Sequence, residues 1–513
     1  MNLVSSKTYF LALLVFGSVV SESPCQTFTT VLTFQRGISE TPLIQGTDGN
    51  LYGTLYNPGQ VFRITPAGTL TILHWFGGPD GDWPNGALVQ GADGNYYGTT
   101  SAGGTFDSGT VFRINSAGKL STLSDFNYAV SGQPIGAMVQ GLDGNFYGTA
   151  EGGPDESGNA FRVTPTGALT VLTDYSGTPV YNPVGLVLAT NGDFYGVSSG
   201  LFKMTPQGVI TGLDYFTNAD GSDLNTPIQA MDGNFYGTTG EGGAYGSGTV
   251  FKVTPSGVVT VLHNFNGLDA SYPNGLIQGS DGNFYGTSYY GGGYGTIFKI
   301  TPQGELTVLY SFNPAEGGIY PLVPLVQDTN GLFYGITNES APNAQGGSIF
   351  SLSVGLAPFV KTLPAAAPTG TTISILGTDL TGATSVTFNG IPAAFTVASP
   401  SLITAIIPAG ATSGNIEVTT PGATLLSNAP FRVLPVIRSF SPSSGAVGTG
   451  VIIAGNSFTG TTSVSFGSVN ASDFTVNSDT RITATVPAGA STGRIYVTTP
   501  GGPAASASSF TVN

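Results

Sequence analysis

Charge is scarce in this 513-residue chain, where Asp, Glu, Lys and Arg together make up 8% of residues. The 14 basic and 29 acidic residues leave a net charge of −15. Beyond Leu356 five basic residues face four acidic ones, so −16 belongs to the first 356 residues. Such a surface repels a phosphate backbone, which excludes nucleic acid as a partner. Cys25 is the single cysteine, so no intramolecular disulfide can form in any compartment. It follows Glu22, Ser23 and Pro24, a poor match to the small apolar residues that precede a lipid-bearing cysteine. His74 and His263 are the only histidines and occupy the same place in two repeats, which reads as packing rather than base or metal chemistry. No Cys/His metal spacing, Gly-x-Ser-x-Gly or phosphate loop is present, and no cofactor is expected. Long apolar runs are lacking too, apart from Tyr9 to Val20, with Lys7 before it and Ser21 and Ser23 after it. That run is short for a membrane span and suits a cleaved export signal over residues 1–23. The mature chain is therefore expected to be secreted or at the cell surface, with no membrane span.

What is abundant is glycine (77) and proline (33), alongside 40% hydrophobic and 11% aromatic residues. That balance calls for many short strands and tight turns, an all-β chain. A heptapeptide supplies the organisation. DGNFYGT begins at Asp143, Asp232 and Asp281, DGNLYGT at Asp48, DGNYYGT at Asp93, and looser copies at Asn191 and Asn330. The spacings run from 41 to 50 residues, the length of a four-stranded propeller blade. Each unit divides into four strand-like runs, A to D. Asp-Gly between A and B predicts a type I′ hairpin turn. TPAG and its variants between C and D predict a bulged hairpin closed by glycine. The Phe-Tyr pair starts strand B with a side chain on each face, and the glycine after it is expected to admit neighbouring backbone. Strand C, as in VFRI or VFKV, is apolar on both faces, as a blade packed between neighbours requires. Its repeated cation (Arg63, Arg113, Arg162, Lys203, Lys252, Lys299) should meet a carboxylate, since an unpaired buried charge is costly.

The last unit lacks its D strand, and TFTTVLTF from Thr27 has the D pattern ahead of the first unit. The expected fold is a seven-bladed β-propeller over residues 27–355 whose N-terminal strand closes the last blade. After Leu356 aromatics thin out and two similar units follow, expected as β-sandwiches over 357–434 and 435–513.

Two resemblances sharpen this. PVIRSFSPSSGAVGTGVIIAGNSF from Pro435, with VPAG and GRIYVTTPGG, resembles the IPT/TIG immunoglobulin-like domain; the copy from Gly370 shares the later motifs but lacks the opening signature. QGxDGNFYGTT, GTVFKVTPSG and LTVLHNF resemble GloVer-type tandem repeats of secreted bacterial proteins. Neither resemblance brings a catalytic motif; both imply an extracellular or surface setting.

In a propeller the B–C and D–A loops share one face. In this chain those loops vary, whereas the A–B and C–D turns are uniform, so function is expected on the variable face. Asp80, Asp82, Trp83, Asp107, Glu151, Asp155, Glu241, Tyr245, Asp269, Tyr272 and Tyr290 are the candidate ligand residues there. Aromatic rings beside carboxylates suit a glycan, with rings on the apolar sugar face and acids accepting from hydroxyls. The expected function is non-enzymatic binding of an extracellular glycan or protein, with the sandwiches as spacers. Trp83 and Tyr272 precede Pro84 and Pro273, so they could equally pin the interblade loop. A polysaccharide hydrolase or lyase using the loop acids, or a self-associating coat protein, are the alternatives.

Overall fold

A computed structural model describes residues 26–37, 39–152, 157–176, 178, 180, 183–316, 318–344 and 346–513. The expected export signal, Cys25 and the candidate Asp155 lie outside the described residues. Seven antiparallel sheets form a propeller and two sandwiches follow. Blade 1 is Ile44–Gln45, Leu51–Leu55, Gln60–Ile64 and Leu70–Trp75, strands A to D in order. Blades 2 to 6 repeat that meander, and blade 7 takes its D strand, Thr27–Thr33, from the start of the chain. That strand pairs antiparallel with strand C of blade 7, Ser348–Ser353, from Thr27 opposite Ser353 to Thr33 opposite Ser348. Strands B and C are buried along most of their length while D is half-exposed, so D lies outermost.

The heptapeptide explains how blades join. Its tyrosine stacks on the first aromatic of the next blade's heptapeptide, as Tyr97 does on Phe146 at 4.1 Å and Tyr236 on Phe284 at 4.1 Å. The same step recurs for Tyr52 on Tyr96, Tyr147 on Phe194, Tyr195 on Phe235 and Tyr285 on Phe333. At the closing junction Tyr334 of blade 7 meets Leu51 of blade 1 in a cluster shared with Phe62 and Ile349. A glutamine at the end of strand A adds a clasp. Gln90 Oε1 accepts from Thr47 N of the preceding blade at 3.1 Å, and Gln45 Oε1 accepts from Thr329 N of blade 7 at 3.2 Å, across the seam.

Two local expectations are corrected. The A–B connection is not a two-residue type I′ turn, which needs positive φ at both central residues. Gly49 N donates to Gly46 O at 2.9 Å and Gly46 N to Asn50 O at 2.8 Å, with φ +78° at Gly49 alone. This is a type I turn followed by a left-handed glycine, the same bulged form that Gly68 (φ +89°) closes between C and D. Aspartate stays right-handed because its carboxylate caps the loop. Asp48 accepts from Asn50 N at 3.1 Å, Asn50 Nδ2 at 2.8 Å and the Tyr52 hydroxyl at 2.7 Å.

The second correction concerns the strand B glycine, which makes room first for a ring, with close backbone as well at Gly196 (Gly185 O, 2.7 Å) and Gly286 (Gly275 O, 2.9 Å). Gly98 pairs with Phe112 across the ladder, and a Cβ on it would sit 2.5 Å from the Phe112 ring. Gly148 with Phe161 and Gly237 with Phe251 repeat this.

The strand C lysines meet carboxylates, whereas among the described residues no ion pair forms at Arg63, Arg113 or Arg162. Lys252 Nζ lies 3.5 Å from Asp232 and Lys299 Nζ 3.4 Å from Asp281, each the heptapeptide aspartate of its own blade. Burial alone would raise the Asp93, Asp232 and Asp281 carboxyls, but donation from the neighbouring asparagine and tyrosine outweighs it and holds all three below their ordinary value.

The sandwiches do not stand off as spacers. Strand C of blade 7 ends at the uniform turn face, and residues 354–360 can reach ~25 Å at most before the first sandwich strand, Lys361–Leu363. The first sandwich therefore folds back onto that face. Ser401 Oγ donates to Thr47 O of blade 1 at 3.2 Å, Arg432 Nη1 to Thr190 O of blade 4 at 2.9 Å, and Lys361 Nζ to Gln327 O of blade 7. Desolvation pulls the Lys361 ammonium down to about 8. Burial likewise raises the nearby Asp328 carboxyl. The second sandwich adds Tyr496 and Pro503, which line a cleft of ≈ 600 Å³ with Leu142, Tyr147 and Phe194.

Candidate functional site

With one face covered, the variable loops of the other face hold the accessible chemistry. They are held out by backbone strain at equivalent positions. Trp83, Gln133, Asp223, Tyr272 and Tyr320 each enter strand A with φ between +51° and +58°. A bulky residue in the left-handed region costs about 1–2 kcal/mol. Bridges from these loops to the end of strand B hold them, such as Ser222 to Glu241 and Ser271 to Tyr290.

On blades 6 and 7 the aromatic members converge, beside Glu241 at the end of strand B of blade 5. Tyr289 stacks on Tyr320 at 4.9 Å and 13°, and Tyr290 meets both edge-on, at 4.6 and 5.8 Å. Tyr294 lies 5.7 Å from Tyr320, and Tyr272 packs edge-on against Tyr290 at 5.8 Å. The Tyr272 hydroxyl donates to Glu241 Oε1 at 2.7 Å, and that bond with the Glu241 charge pushes its pKa up. Tyr320 is pushed up by burial first, then by the surrounding tyrosines and Glu339. Glu339 Oε2 accepts from Asn343 N at 2.8 Å, and Asn338 reaches the Tyr289 hydroxyl at 3.5 Å. Tyr272 and Tyr290 remain 39% and 46% exposed, so the platform is open to a ligand.

Of the expected residues, Glu241, Tyr272 and Tyr290 are brought together. The others are dispersed. Asp80 and Asp269 are engaged locally, at 2.7 Å from His74 Nε2 and 2.8 Å from His263 Nε2, while each also accepts from loop amides. These pairs staple the D–A loops and account for the repeated histidine. Asp82 Oδ1 accepts from Trp83 N at 2.9 Å, and Asp107 Oδ1 from Gly103 N at 3.0 Å. Trp83 stacks on Tyr56 at 5.9 Å in blades 1 and 2, away from the tyrosine platform. Glu151 N donates to Gln133 O at 3.2 Å, and Tyr245 stands 68% exposed on its loop. Among the described residues no group of three or more His, Cys, Asp or Glu could hold a metal, and no helix is long and apolar enough to cross a membrane.

The family model described as the Gloeobacter/Verrucomicrobia repeat matches residues 16–201 and 198–391, and the IPT/TIG domain model matches 359–433 and 435–512. The chain belongs to the Gloeobacter/Verrucomicrobia repeat family. Among solved structures it is similar to a streptogramin B lyase (14% identity, 65% of this chain and 99% of the other, TM-score 0.49). It is also similar to the virginiamycin B lyase of Staphylococcus aureus (16%, 64% and 98%, TM-score 0.48). A fungal alcohol oxidase in complex with copper is similar at 14%, over 80% and 94%, with TM-score 0.42. No curated protein matches the chain.

In this Gloeobacter/Verrucomicrobia repeat protein, sequence reasoning passed over Tyr289, Tyr294, Tyr320, Asp223 and Glu339. A signal was there for the tyrosines. YYGGGY from Tyr289 puts three in one B–C loop, and Tyr320-Pro321 repeats the aromatic-proline step of Trp83-Pro84 and Tyr272-Pro273.

Proposed function

We propose that this chain is an exported, surface-acting binding protein whose variable-loop face takes a glycan at the tyrosine platform of blades 6 and 7, without catalysing its turnover. The observation that supports it is the convergence of five tyrosines of blades 6 and 7 with Glu241 and Asp223 of blade 5 and Glu339 of blade 7. Sugar rings present apolar C–H faces that stack on such rings, and their hydroxyls donate to carboxylate and amide oxygens. The domain limits proposed for the functional unit are 27–355 for the binding propeller and 357–434 and 435–513 for the sandwiches that brace it from behind.

The test is a glycan array with the full chain beside the Tyr290→Leu and Tyr320→Leu variants, paired with a reducing-end assay on every glycan retained. Retention that both variants lose, with no new reducing ends, is the expected result. New reducing ends would replace the reading with a polysaccharide hydrolase or lyase. Absence of retention across the array would sink it.

A further inference from the structure

The platform carries charge of one sign. Glu241 and Asp223 lie beside Tyr272 and Glu339 lies beside Tyr320, and the two hydroxyls are harder to ionise than usual. Cations of the propeller sit elsewhere. Lys252 and Lys299 lie over Tyr236 and Tyr285 and pair with Asp232 and Asp281 at the turn face. Among the described residues no ion pair or ring–cation contact brings a lysine or arginine to the platform. Aromatic faces carry negative potential at their centres and attract an ammonium group, the more so beside carboxylates. A neutral sugar would use the rings but leave the charge of the three acids unanswered. An amine fixed to the sugar ring would answer both features at once.

Resting on the glycan reading above, we propose that the ligand is an amino sugar polymer with free amines, its ammonium groups held between the tyrosine faces and Glu241, Asp223 and Glu339. Asp223, Tyr272 and Tyr320 take the repeated left-handed position on three successive blades, so each of those blades presents a side chain of the platform at the same place on the rim.

Titration calorimetry on the full chain in mildly acidic buffer tests it. There the amines are protonated and the carboxylates remain largely ionised. The probes are a glucosamine oligomer, its N-acetylated counterpart, a neutral glucan oligomer of equal length and a lysine peptide. The expected result is binding of the glucosamine oligomer that weakens about fivefold or more on N-acetylation and again as salt is raised. Glu241→Gln and Glu339→Gln should each weaken it by about the same factor, with unfolding temperatures unchanged. Equal affinity for the acetylated and neutral oligomers would overturn the proposal and leave glycan binding standing. Binding of the lysine peptide alone would overturn the amino sugar as source. Failure of every probe, with the arrayed glycans also unbound, would remove the glycan reading itself.

Discussion

Closure of the ring by the first strand can be tested at one side chain. Phe28 lies in strand Thr27–Thr33 and stacks on Tyr310 at 4.0 Å and 4°, with Phe350 at 5.3 Å and Phe312 edge-on at 5.7 Å. Phe→Ala in a closed core costs about 3–5 kcal/mol. Phe28 is only half-buried, so Phe28→Ala should cost about 2 kcal/mol. Spread over a unit of this size, that lowers the melting temperature by about 3 °C. The more specific readout is hydrogen exchange. Strand Ser348–Ser353 pairs with the N-terminal strand along its full length, so its amides should lose protection in the variant before those of other blades. Leu306→Ala truncates the corresponding position of strand D in blade 6, where the strand is tethered to its own blade. It should lower stability without singling out blade 7. If Phe28→Ala left both the melting transition and the exchange of Ser348–Ser353 at wild-type values, the ring would not be closed by this strand.

Three further outcomes follow from contacts inside the molecule. Gly98→Ala should destabilise by about 1–3 kcal/mol because its Cβ would meet the Phe112 ring at 2.5 Å, and pairing it with Phe112→Leu should recover most of the loss in urea unfolding. Tyr52 and Tyr97 have folded-state pKa values of about 12 against 10.0 when unfolded. The stability they contribute is full below pH 10 and is lost as pH rises through 12, so tyrosinate absorbance of these rings should appear only with unfolding. Lys361 acts in the opposite sense. Its folded pKa of about 8 lies below the ordinary 10.5, so the folded state sheds its proton first and stability should rise between pH 8 and 10. The slope is about 1.4 kcal/mol per pH unit at most, and Lys361→Met should abolish it.

Much of the propeller is legible in the chain because its instructions are local and repeated. Asp, Asn and Tyr of the heptapeptide bond to one another within five residues, as Asp93, Asn95 and Tyr97 show, so one copy carries its whole turn. The turn type was less legible, since Asp-Gly suits both hairpin forms and the choice is made by Gly91 two positions earlier, whose amide bonds to Asn95 O at 2.8 Å. The role of Gly98 needed strand register, which sets Phe112 over it. The glutamine of strand A was in plain view, yet its partner lies 43 residues away in the case of Gln90 and 284 in the case of Gln45. The tyrosine platform was half legible for the same reason. Its tyrosines come from two adjacent blades, and only the pairing of Ser271–Gln278 with Phe284–Tyr290 and the packing of blade 7 beside blade 6 bring Tyr272, Tyr289 and Tyr320 together. No local pattern predicts that Arg432 and Lys361 anchor the sandwich to the turn face, because both contacts are to backbone oxygens of residues distant in sequence.

A wheel made by repeating one joint must still have a place where the chain begins and ends. Six joints set a tyrosine against an aromatic of the following blade, and the seventh sets Tyr334 against Leu51. The six are interchangeable surfaces, so a unit gained or lost among them by duplication or deletion would find a matching neighbour on either side. The leucine joint has no such freedom. It marks the fixed seam around which the number of blades in a relative could change.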